Sequence, residues 1–175
     1  MEENIYRSVY CGKVDRSYIG KEVRVCGWVN SIRNLGSLLF ITLRDETGIV
    51  QLISEESYKF INLTKESTVT VSGTVRKRDD DMINKNMATG EIEIVINTLD
   101  ILGLCENVLP FEISRSKESL EDTRLNYRYL DLRNESVHNN ILFRSKVIDF
   151  IRETMKSMGF TEIQTPIITA TSPEG

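Results

Sequence analysis

The 175-residue sequence is short of several things, and each shortage excludes a class of protein. No apolar run approaches the roughly 18–20 residues needed to span a bilayer, so a membrane-spanning helix is not expected. The start, Met1-Glu2-Glu3-Asn4, carries acid and has no apolar stretch behind it, which argues against a secretory signal. Only three cysteines occur, Cys11, Cys26 and Cys105. An odd, widely spaced set gives neither a disulfide framework nor metal-ligand spacing, and reads as reduced thiols in a cytoplasmic protein. There is a single histidine, His138, at the start of a helical stretch, where a surface position is expected. No Ser/His/Asp set, P-loop or Gly-rich dinucleotide turn is present, and no metal site is expected. Asp79-Asp80-Asp81 is an acidic run in a polar loop and reads as solvated. Positive charge is also scarce: the net charge is −4, which argues against indiscriminate nucleic-acid binding. Any RNA site must be local, and the placement of the arginines decides it.

What is present is a succession of short alternating segments. Five strands are predicted within residues 1–104: Lys21–Ile32, Leu38–Asp45, Ile49–Ser54, Thr68–Arg78 and Glu91–Leu102. A helical stretch, Glu55–Leu63, separates the third from the fourth, and a polar loop, Asp79–Gly90, the fourth from the fifth. Asn34-Leu35-Gly36 and Glu46-Thr47-Gly48 supply turns. Five strands with one helix between the third and fourth is the order of an OB-fold barrel. A sandwich is the alternative, although it usually needs more strands.

Alternation assigns the faces. Val69, Val71, Gly73 and Val75 point inward with Leu39, Ile41, Leu43, Ile92, Ile94 and Ile96. Phe40 then falls on the wet face with Thr42 and Arg44, where an aromatic ring is a stacking platform for an unpaired base; the alternative is a minor core under a covering loop. Arg76 and Arg78 share that face, and guanidinium forks suit phosphates and base edges. Glu91 and Glu93 lie on the outer face of the next strand. A carboxylate there repels phosphate, so it either reads the donors of guanine or forms a solvated ion pair. Gln51 interrupts the phase of Ile49 and Ile53, and is either a base reader or an ordinary surface amide. Arg33 is out of step: strict alternation turns it inward with Val23, Val25 and Val29, unless a bulge at Gly27 re-aims it.

Beyond Leu104 the pattern breaks. Residues 105–136 are expected to form a hinge with short helical pieces, containing the compact run Tyr127-Arg128-Tyr129-Leu130-Asp131-Leu132-Arg133. A helix is predicted over Val137–Met158, with Val147, Ile148, Ile151, Met155 and Met158 along one face and Gly159 as its stop. A short extended run, Phe160–Thr165, ends at Pro166, and the helix has little in the chain to pack on. This part reads as cut from something larger.

Taken together, Cys26-Gly27-Trp28-Val29-Asn30, Leu35 to Ile41, Leu43-Arg44-Asp45, Gly48-Ile49-Val50-Gln51, Asn86 to Glu93, Tyr127 to Arg133 and Gly159 to Pro166 resemble bacterial-type aspartyl-tRNA synthetases of class II. The likeness covers nearly the whole chain. It implies a mainly β fold: an OB-fold anticodon-binding domain over 1–104, a hinge over 105–136, and the first helix and strand of a class II α+β catalytic domain over 137–175. It implies that Phe40 and Gln51 handle the middle anticodon base of tRNA-Asp, that Arg78 and Glu93 handle the first, and that Arg33 belongs to the loop-binding set. Arg76 joins them from the face assignment alone. Pro166 matches the dimer-forming proline of motif 1, and Glu174 a glutamate of the aspartate pocket. ATP, Mg2+ and a homodimer are implied for the parent enzyme. Motifs 2 and 3 are absent, so the 175 residues alone are expected to be inactive. An asparaginyl-tRNA synthetase relative, a stand-alone OB-fold RNA-binding module and a single-stranded-DNA protein are the alternatives.

Overall fold

A computed structural model describes residues 4–56, 62–105 and 108–164. It divides into two compact units, Met1–Val108 and Leu109–Gly175. The first is a closed barrel of five strands, β1 (Glu22–Leu35), β2 (Leu38–Asp45), β3 (Gly48–Ser54), β4 (Thr68–Lys77) and β5 (Ile92–Gly103), in the order β1-β2-β3-β5-β4. Closure removes the sandwich alternative. Most of the helix expected at Glu55–Leu63 lies outside the described residues.

The inward residues are those alternation assigns: Val23, Val25, Val29, Ile41, Leu43, Leu52, Val69, Val71, Val75, Ile92 and Ile94 are buried together. β1 is long because it serves two neighbours, pairing β4 over Glu22–Trp28 and β2 over Trp28–Leu35. Gly27 sits where it does so because a Cβ there would lie 2.3 Å from the Arg44 carbonyl oxygen. Past that crossing the register shifts. Val29 faces Leu43, but Ser31 faces Thr42, so Asn30 is an extra residue on β1. The bulge is therefore at Asn30 rather than at Gly27.

A side-chain clamp holds it. Arg44 Nη1 donates to Asn30 Oδ1 at 2.9 Å, and Arg44 Nη2 donates to both Glu66 carboxylate oxygens at 3.0 and 2.9 Å. Glu66 is buried in the left-handed region (φ 64°), and its N–H donates to the Val29 carbonyl at 2.7 Å. Such a conformation is costly for a non-glycine residue and persists where neighbours fix it. Arg44, placed on the wet face by alternation, serves this clamp.

A short 3-10 turn, Cys11–Lys13, lies against the β2–β3 turn, its Gly12 N–H donating to the Thr47 hydroxyl at 2.9 Å, and buries Cys11 in the core cluster. Asp45 ties it down, accepting from the Cys11 N–H at 2.7 Å and from the Thr47 N–H and hydroxyl at 2.8 and 2.7 Å. Burial pushes the Asp45 carboxyl up, but these hydrogen bonds outweigh it and hold it below its ordinary value. Burial also pushes the Cys11 thiol well above the ordinary thiol range.

Among the described residues the second unit holds a 3-10 segment (Ile113–Glu118) and three helices, α1 (Glu121–Asn126), α2 (Arg128–Asp131) and α3 (Glu135–Ser157). Its core is Phe111, Ile113 and Leu130 with Leu109 against them. The run Tyr127–Arg133 earns its conformation through Asp131, which is fully buried and accepts from Arg124 Nε and Nη2, both at 3.1 Å, and from Arg128. Asn134 caps α3, accepting from the Ser136 and Val137 N–H groups, while its amide donates to the Ile113 and Ser114 carbonyls. Gly159 (φ 89°) ends α3: its N–H reaches the Lys156 carbonyl and that of Phe160 reaches Met155. His138 is exposed, as expected. The stripe of Val147, Ile148, Ile151 and Met155 remains 38–53% exposed. Pro166 and Glu174 lie outside the described residues.

Candidate nucleic-acid interface

The Asn30 bulge decides what the barrel presents. By adding one residue it exchanges the faces of β1 beyond it. Ile32 now opposes Ile41 and packs on the core, and Arg33 opposes Phe40 on the outside. Arg33 is exposed and forms no ion pair among the described residues. The Phe40 ring is half-buried, with one cross-strand neighbour cationic (Arg33) and the other apolar (Ile53).

Two residues along β2 from Phe40, Thr42 lies opposite Gln51 of β3. Ser31 and Asn30 hold the Thr42 hydroxyl, at 2.6 and 3.3 Å. Gln51 in turn reaches across to β5, where its Nε2 donates to Glu93 Oε2 at 2.9 Å. The other carboxylate oxygen, Oε1, accepts from Arg76 Nε at 2.7 Å, the two residues being direct partners in the β4–β5 ladder. Arg33, Phe40, Gln51, Glu93 and Arg76 thus follow one another across the outer face of β1, β2, β3, β5 and β4.

Two of the expected wet-face residues are not wet. Arg78 is 5% exposed and Glu93 6%. Arg78 stands one residue past the end of β4, where the pleat no longer dictates direction. Its N–H donates to the Glu91 carbonyl and its Nε to the Ile92 carbonyl, both at 3.0 Å. Its Nε lies 3.9 Å from Glu93 Oε2, and its Nη2 is buried without a hydrogen-bond partner. Burial lowers the Arg78 pKa, and the Glu93 charge only partly offsets this. Glu91, by contrast, is half-buried and paired with Arg16.

Chemically, the face offers a ring for stacking, cations at its two borders, and an amide and a carboxylate between them. That combination suits an unpaired nucleobase segment better than a duplex backbone, which needs a row of cations. Sequence reasoning missed the Gln51–Glu93 hydrogen bond and the bulge clamp. Gln51 and Glu93 are 42 residues apart, and nothing local in either strand announces the contact. A parallel β3–β5 pairing, had it been assumed from the OB order, would have suggested it. Among the described residues no group of three or more His, Cys, Asp or Glu could hold a metal ion. No helix among them is long and apolar enough to cross a membrane.

Comparison with known proteins agrees with the chemistry of this face. Residues 23–102 match the OB-fold nucleic acid binding domain, and residues 120–175 match the class II (D, K and N) tRNA synthetases. The chain is 45% identical over 174 residues to the aspartate–tRNA(Asp/Asn) ligase of Paracoccus denitrificans, covering 97% of this chain and 29% of that protein. It is 47% identical to the aspartate–tRNA ligase of Streptomyces coelicolor, covering 97% and 30%. Among solved structures, asparaginyl-tRNA synthetase from Pyrococcus horikoshii with asparaginyl-adenylate aligns with a TM-score of 0.76 at 26% identity, over 95% of this chain and 37% of that one. Aspartyl-tRNA synthetase from Entamoeba histolytica aligns with 0.73 at 25% identity, over 91% and 40%. The chain therefore spans about three tenths of the length of the curated relatives it matches. With both domains matched in this order and such identity along nearly its whole length, the chain is similar to the bacterial aspartate–tRNA ligases.

Proposed function

We propose that the barrel reads the anticodon loop of tRNA-Asp for an enzyme that activates aspartate with ATP and esterifies it to that tRNA. The observation that carries this reading is the placement of Arg33 beside Phe40 and of Gln51, Glu93 and Arg76 in one hydrogen-bonded set on the same barrel face. Phe40 stacks on the middle base and Gln51 holds its edge. Arg78 and Glu93 take the first base, a guanine: the carboxylate suits its imino and amino donors, and a guanidinium its oxygen and ring nitrogen. The unpartnered Arg78 Nη2 supports this, because a buried donor without an acceptor is expensive unless a ligand supplies one. Arg33 and Arg76 carry phosphate contacts at the borders of the face.

The division into an anticodon-binding domain (1–104), a hinge (105–136) and the start of the catalytic domain (137–175) belongs to the same proposal. So do the cytoplasmic setting, the Mg2+ that accompanies ATP, the homodimer formed around Pro166, and Glu174 in the aspartate pocket. The ATP-binding arginines and metal-binding acids of motifs 2 and 3 do not occur in these 175 residues, so the chain alone leaves aspartate-dependent pyrophosphate exchange at background. Binding supplies the decisive experiment. At ~0.15 M salt, where electrostatic background is damped, the chain should prefer a stem-loop bearing G-U-C over one with the same bases scrambled. Equal affinities would remove the anticodon assignment and leave a generic RNA-binding barrel.

A further inference from the structure

We infer that Glu93 is a specificity determinant for the middle base as well as the first, because it sets the orientation of the Gln51 amide. This rests on the anticodon reading above and adds to it a coupling between two neighbouring readouts.

The chemistry leaves little choice. A carboxylate only accepts hydrogen bonds, so the Gln51 group 2.9 Å from Glu93 Oε2 must be the NH2 end of the amide. Gln51 is then committed: one N–H is spent on Glu93, and Oε1 with the second N–H is left for a base. That pair matches the imino proton and a carbonyl oxygen of uracil. Glu93 cannot swing away to free the amide, since Arg76 Nε holds its other oxygen at 2.7 Å and Arg78 stands 3.9 Å behind it. Arg76 is therefore a positioning residue for this pair.

Glu93→Gln keeps the shape and reverses the logic. Arg76 is a donor and takes the oxygen of the new amide, which turns its NH2 toward Gln51. Gln51 must answer with Oε1, so the amide rotates and shows donors where it showed an acceptor. The first-base reader is altered directly, and the middle-base reader is altered through its neighbour. Thermodynamic linkage makes such a coupling reciprocal. Gln51→Met, which removes the amide and leaves a half-buried apolar chain, must then blunt discrimination at the first base although Gln51 does not touch it.

The experiment is a titration of wild type, Glu93→Gln and Gln51→Met with stem-loops bearing G-U-C, A-U-C and G-C-C at ~0.15 M salt, with thermal melts confirming that each variant folds. Discrimination is the ratio of dissociation constants. The expected result is that Glu93→Gln lowers both the G-over-A and the U-over-C ratios, and that Gln51→Met lowers the G-over-A ratio roughly 5-fold, the lower end of typical site-to-site coupling. If Glu93→Gln changes the first-base ratio alone, or Gln51→Met the middle-base ratio alone, the two readers are independent and the inference is overturned. A Glu93→Gln chain that does not fold leaves Gln51→Met to decide it. A wild type that binds all three loops alike is a different failure: it removes the anticodon reading itself, and the coupling with it.

Discussion

Replacing Arg78 by methionine separates a residue kept for binding from one kept for folding. The guanidinium is buried with Nη2 unpartnered, a deficit of about 1–3 kcal/mol. Its attraction to Glu93 at 3.9 Å amounts to about 4 kcal/mol at an effective dielectric of about 20. Desolvation of a buried ion costs several kcal/mol in return. The hydrogen bond from Nε to the Ile92 carbonyl is lost on substitution, but methionine restores apolar packing of similar reach. Glu93 is not orphaned, because Gln51 and Arg76 still hold its two oxygens. These opposing effects leave the stability of Arg78→Met within about 1 kcal/mol of wild type by urea unfolding, a change in which gain and loss nearly cancel. Binding should not be spared: discrimination for a first-position guanine should fall by about 1–3 kcal/mol, the worth of one base-edge contact. A loss of about 3–5 kcal/mol in stability, as when a buried pair is broken, would refute the reasoning and make Arg78 a structural residue.

Phe40→Ala should weaken binding of the G-U-C stem-loop by about 1–3 kcal/mol in a fluorescence titration, and about equally for any middle base, because stacking is tolerant of base identity. Acid should loosen the Cys11–Lys13 turn: the Asp45 carboxyl is held below its ordinary value in the folded barrel, so its contribution is present above pH ~4 and lost as pH falls through the folded value. Asp45→Asn should accordingly be less stable than wild type at neutral pH and converge with it on acidification; a constant gap across pH would contradict this. Cys11 is buried with its thiol pushed up, so alkylation of the native protein at pH 8 should spare it while modifying it after unfolding, as read by mass spectrometry of the peptides.

Much of the barrel was legible because alternation and turns are local. The boundaries of β2 agree with those read from the sequence, Leu38–Asp45, and the inward valines and isoleucines of β4 and β5 are those the pleat assigns. Two features of the face were not legible, for different physical reasons. Arg33 turns outward through a bulge whose clamp comes from Glu66, on a segment far along the chain and in a conformation that no residue preference favours. Arg78 keeps the phase of Arg76, but lies beyond the strand, where its backbone and side chain follow the Glu91 and Ile92 carbonyls instead. In the second unit the run around Asp131 stood out as compact without revealing why. The reason is a fully buried carboxylate that needs two arginines at once.

The closure of the barrel has a mechanical consequence. β4 and β5 are laced together along the whole of β4, whereas β3 and β5 meet in parallel through only two backbone pairs, Leu52 with Ile94 and Ile53 with Val95. That joint is supplemented from the side, by Gln51 reaching Glu93 and by the Thr89 hydroxyl reaching the Ile49 carbonyl at 2.6 Å. It is the least reinforced line of the cylinder, and the groups proposed to meet RNA stand on both of its edges. A ligand gripping Gln51 on one side and Arg78 on the other acts as a stitch across the seam. The barrel then has a reason to tighten when it is occupied, and amide exchange in β3 and the first half of β5 should slow more than in β4.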